Sequence, residues 1–84
     1  MKALLRDMQV GESGKVAGYA KGATVYREKL LAMGLTRGTE FVVERVAPMG
    51  DPMEIQLRGF ALTLRKDEAS ALFVEMIVAR GERS

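Results

Sequence analysis

Short apolar runs broken by glycine, with one stretch of helical periodicity among them, predict a mainly β fold. The expected form is a small SH3-like barrel of five or six short strands, with one α-helix at about Thr24–Met33 and a short helical turn near Asp67–Ser70. Three observations carry this reading. Met53 to Arg58 alternates strictly, with Met53, Ile55 and Leu57 facing one way and Glu54, Gln56 and Arg58 the other, which is the period of a half-buried strand. Tyr26, Leu30 and Met33 fall at i, i+4 and i+7, one apolar stripe of a helix. Nine glycines in 84 residues leave no room for long strands, and strands this short close into a barrel more readily than they spread into an open sheet.

Taken in order, Leu4, Leu5 and Met8 before Gly11 predict a helical or 3₁₀ turn that tucks Leu5 and Met8 under the body. Lys15 to Ala20 reads as the first strand, bounded by Gly14 and by Lys21-Gly22, with Gly18 marking a bulge or a close backbone approach. Thr24 is expected to cap the helix, its hydroxyl meeting a free amide of the first turn. Gly34 ends the helix in the left-handed conformation, and Leu35 folds back on Leu30 as in a Schellman cap. A helix of about ten residues is marginal alone, so it must lie on the rest of the domain.

Thr36-Arg37-Gly38 turns the chain into Glu40–Ala47, the longest strand. Its Phe41, Val42, Val43 and Val46 predict apolar surface on both faces, hence a central place or cover by the helix. Ala47–Pro52 cannot continue that strand, because neither Pro48 nor Pro52 has an amide proton for a ladder. Gly59-Phe60 is expected to turn a hairpin into Ala61–Arg65, with Leu62 and Leu64 inward. Asp67 should cap the turn through Ser70, and Leu72–Val78 should close the fold. Residues 1–78 then form a single domain, and 79–84 a polar tail.

Composition excludes whole classes of chemistry. There is no cysteine and no histidine, so disulfides, thiolate sites and the usual general base near neutral pH are all missing. Structural zinc draws on the same two residues. No nucleophile–base pair, clustered carboxylate site or Gly-rich phosphate loop stands out, so no enzyme activity, catalytic residue, metal or cofactor is expected. Thirteen basic against eleven acidic residues give +2, and the charges are interspersed rather than gathered on one segment. No window approaches the ~18 consecutive apolar residues of a membrane span, and the N-terminal segment lacks a secretory apolar core. A cytoplasmic location is expected.

With these residues placed, the chain resembles the FeoA family of ferrous-iron transport accessory proteins. The matching elements are Arg27-x-x-Leu30-x-x-Met33-Gly34-Leu35, Gly38-Thr39, Val46-Ala47-Pro48-Met49-Gly50-Asp51-Pro52, then Ile55, Arg58-Gly59, Leu62, Leu64-Arg65 and Glu68-Ala69. The ordered set covers roughly Leu5 to Ile77, and Ala-Pro-x-Gly-Asp-Pro is its most specific part. The resemblance implies a cytoplasmic SH3-like barrel that supports FeoB, a membrane ferrous-iron transporter with a cytosolic GTP-binding domain. A similar barrel closes some metal-dependent repressors, whose DNA-binding and dimerisation domains are not expected in this chain. Without Cys or His the protein is poorly equipped to hold ferrous iron itself, so it should act on a partner.

The candidate partner-binding residues are Tyr26, Arg27, Leu31, Leu35, Arg37, Met49 and Asp51. Leu31 lies off the helix stripe, where it either adds to the core or meets a partner. The two prolines stiffen the loop that carries Met49, which lowers the entropy lost on docking; the alternative is a plain turn in which Asp51 bonds its own backbone. Arg37, Arg45, Arg58, Arg65 and Lys66 read either as a basic patch or as a solvated exterior balanced by Glu40, Glu44, Glu54 and Glu68. The competing function is a nucleic-acid-binding SH3-like module. Against it stand the mixed charge and the small number of aromatics, with Phe41 and Phe73 expected in the core. The expected state is a monomer or a weak homo-oligomer.

Overall fold

A computed structural model describes residues 2–22 and 24–77. Six strands run as β1 (Lys2–Leu4), β2 (Ser13–Tyr19), β3 (Glu40–Val46), β4 (Met53–Leu57), β5 (Phe60–Leu64) and β6 (Leu72–Ile77). Two helices interrupt them, α1 (Thr24–Ala32) and α2 (Lys66–Ser70), and 3₁₀ turns lie at Leu5–Asp7 and Pro48–Gly50. All strand pairs are antiparallel, in the order β1-β6-β2-β3-β4-β5. This is the SH3-like, mainly β architecture expected from the sequence. The hydrogen-bonded sheet stays open between β1 and β5, however, and the Leu5–Asp7 turn packs on α2, so side chains rather than a ladder help to close the body.

The strand alternation holds where it was clean. Met53, Ile55 and Leu57 of β4 are buried, joining Leu5, Val16, Leu30, Leu35, Val43, Leu64, Leu72 and Val74 in one core. In β3 the alternation is sharper than its letters imply. Phe41 and Val43 point inward, while Val42 stays exposed on the outer face without cover from the helix. β3 is central nonetheless, between β2 and β4. Phe73 is another departure, since it lies on the outer side of β6 and is 36% exposed.

Several boundaries move for identifiable reasons. β2 begins at Ser13, because Gly14 continues the ladder, opposite Phe41 on one side and Met76 on the other. The bulge expected at Gly18 is present as a register shift between Val16 and Gly18 against β6. β1 was not anticipated; three residues pairing with Glu75, Val74 and Phe73 carry too little pattern to be read alone. The β4–β5 turn is Arg58-Gly59 and not Gly59-Phe60, since Phe60 already pairs with Leu57. Thr24 is the first residue of α1 instead of its cap, and the position before it is not described. Val78 and the tail 79–84 lie outside the described residues.

Candidate functional site

The elements around α1 are fixed by its C-terminal end. Gly34, at φ 100°, lets the Leu35 amide donate to the Leu30 carbonyl at 3.0 Å and the Gly34 amide to the Leu31 carbonyl at 3.0 Å. This is the double bond pattern of a Schellman cap, with Leu30 and Leu35 both wholly buried. The Tyr19 hydroxyl then donates to the Leu35 carbonyl at 2.6 Å, tying β2 to the cap. Burial raises the Tyr19 pKa, partly offset by the positive charge of Arg27 nearby. The hydroxyl therefore keeps the proton that this bond requires.

That frame opens a groove of about 510 Å³ lined by Gly18, Tyr19, Ala20, Lys21, Gly22, Thr24, Arg27, Leu31 and Arg37. Arg37 reaches it from the turn after α1, where Thr39 donates to the Thr36 carbonyl at 3.0 Å and Gly38 donates to Val16 at 2.8 Å. Its guanidinium lies over the β2 bulge, so a Cβ on Gly18 would sit 3.3 Å from Arg37 Nη2. Leu31 is 37% exposed along the groove, which settles its position against a wholly core role. Tyr26 lies on the far side of Lys21-Gly22, in a shallower depression of about 180 Å³ shared with Asp67, Ser70 and Ala71.

Arg27, Leu31 and Arg37 are thus gathered in one groove with Tyr26 beside it. Leu35 is not available as an exposed contact: its side chain is fully buried, because the Schellman geometry folds it under the helix. Met49 and Asp51 lie outside the groove. Met49 is 89% exposed and has φ 70°, an unusual conformation for a residue with a side chain. Asp51 bonds across the fold, its Oδ1 accepting from the Lys66 amide at 3.2 Å, which ties the Pro-rich loop to the start of α2. Sequence reasoning passed over Tyr19 and Lys21, although Lys21-Gly22 follows closely on Gly18 and precedes the helix.

α2 joins the two parts of this surface. Glu68, almost fully buried, accepts from Lys29 of α1 and from the Arg65 amide at 2.9 Å. Glu68 therefore completes the start of α2, the role expected of Asp67, which is exposed. Burial alone would raise the Glu68 pKa, but the hydrogen bonds and charges of Lys29 and Arg65 outweigh it and hold the carboxyl below its ordinary value. A second groove, about 670 Å³, lies on the other side, where the β3–β4 ladder ends at Val42 and Gln56; Val42, Phe60 and Ile77 give it an apolar lining. Among the described residues, no three carboxylates come together as a metal site, and no helix is long and apolar enough to cross a membrane.

Comparison with known proteins fits this architecture. The FeoA domain family model matches residues 3–76. The solution structure of a FeoA-like protein from Clostridium acetobutylicum is 39% identical, with a TM-score of 0.82 over 94% of this chain and 91% of that one. A manganese-dependent transcriptional repressor superposes with a TM-score of 0.82 over 90% of this chain and 37% of that one; at 14% identity it shows a common fold alone. An Fe(2+) transport protein A/Fe(2+) transporter FeoB fusion protein of Porphyromonas gingivalis is 26% identical over 80 residues. That match takes in 95% of this chain and 9% of the fusion protein.

Proposed function

The chain belongs to the FeoA domain family, and from that premise we propose that it is a cytoplasmic accessory protein of ferrous-iron uptake that binds a FeoB-type transporter. The observation that carries this is the fusion protein, in which a domain similar to 95% of this chain shares one polypeptide with an Fe(2+) transporter. Domains joined in one chain are held at high effective concentration, and the same contact made between separate chains needs a surface of its own. The groove along α1 and the exposed Met49 support this reading as surfaces open to contact.

The protein acts by contact and not by chemistry of its own. Iron is the cargo of the partner, and this chain has neither Cys nor His with which to hold it. The direct test is binding of the full chain to the transporter purified in lipid nanodiscs, followed by interferometry with each nucleotide state of its GTP-binding domain. Saturable binding to the transporter, absent with empty nanodiscs, supports the reading. No binding in any nucleotide state would overturn it.

A further inference from the structure

We propose that the groove between β2 and α1 is a docking site for an acidic peptide segment of the partner, with Lys21, Arg27 and Arg37 holding carboxylates and Leu31 giving an apolar contact. This rests on the interaction-module reading and names the chemistry of the contact.

Nine residues line the groove; three are cationic and none is acidic. Elsewhere among the described residues Arg6, Lys15, Lys29 and Arg45 each stand against a carboxylate, while Arg58, Arg65 and Lys66 stand free but outside the groove. Among the described residues, Lys21, Arg27 and Arg37 have no carboxylate within 4.0 Å. A chain with a net charge of only +2 thus places three unpaired cations, and no acid, in the lining of one concavity. Clefts of one sign focus the field and draw in ligands of the other, and guanidinium groups match carboxylates with paired hydrogen bonds.

The lining also distinguishes a peptide from a small anion. A phosphate ion would engage the cations and leave Leu31 as exposed as before. A peptide with an aliphatic side chain between acidic ones covers both. Gly18 adds a positioning element, because the Arg37 guanidinium lies directly over its backbone.

The test uses fluorescence anisotropy with a labelled peptide of alternating Glu and Leu, its Gln/Leu and Glu/Ser counterparts, inorganic phosphate as competitor, and a short single-stranded oligonucleotide. The expected result is binding of the Glu/Leu peptide that weakens with salt and falls at least about tenfold in the Arg27→Glu/Arg37→Glu double variant. Gly18→Ala, which keeps every charge, should weaken binding by a smaller factor. Equal binding of Gln/Leu, of Glu/Ser, or of the double variant would overturn the proposal, as would tighter Arg27- and Arg37-dependent binding of the oligonucleotide or full displacement by equimolar phosphate. The transporter separates the two readings. If it binds wild type and double variant alike, the groove proposal fails and the module reading stands. If the peptide binds as expected while the transporter does not bind, the groove stands and the choice of FeoB as partner fails.

Discussion

Two side chains, Glu68 and Tyr19, hold α1 in place, and both can be tested singly. Glu68 is a buried carboxylate whose folded-state pKa is depressed, so its contribution is fully present above the ordinary value of 4.5. It is lost as pH falls through the lower folded-state value. Glu68→Gln should therefore lower stability by about 1–3 kcal/mol at neutral pH. It should also flatten the acid limb, which urea midpoints collected from about pH 7 down to about pH 3 would show. Tyr19→Phe removes one donor and leaves the Leu35 carbonyl without it. A loss of about 0.5–1.5 kcal/mol is expected in the same assay.

At the scale of elements, α1 has one face committed to the fold and another left free. Leu30→Ala empties a fully buried site and should destabilise by about 2–5 kcal/mol. Leu31→Ser, at the groove, should cost about 1–2 kcal/mol in chemical denaturation, less than Leu30→Ala, while weakening partner binding. This division was legible in part. The i, i+4, i+7 stripe identified Leu30, and the Gly34-Leu35 pair identified the cap, because both follow from local geometry. The site was less legible. Leu35 was expected both to fold back on Leu30 and to meet a partner; the cap is formed and carries its side chain into the core, which removes the second role. Lys21 and Arg37 stand sixteen positions apart, and only the β2 bulge and the turn after α1 bring them to one groove. β1 escaped notice for the same reason, since its partner β6 lies at the other end of the chain.

For the whole molecule, a small SH3-like sheet with a helix anchored in its core by Leu30 presents a cationic groove beside α1 and a stiff, exposed loop joined through α2. Met49 keeps a positive φ with its side chain almost entirely in solvent, which local stability does not favour. Met49→Gly should leave the thermal midpoint unchanged or slightly raised and should reduce affinity for the transporter, as read by interferometry. On the function proposed above, a chain without Cys or His would serve iron transport through a partner and not through the metal.

The most direct measurement is a two-dimensional amide NMR titration of the deuterated full chain with a FeoB-type transporter in lipid nanodiscs, read as shifts and selective line broadening. The expected shifts lie along Gly18–Gly22, Thr24–Leu31 and Arg37, with a second set at Met49–Asp51. Shifts confined to the Val42, Phe60 and Ile77 groove, or none in any nucleotide state, would contradict the account.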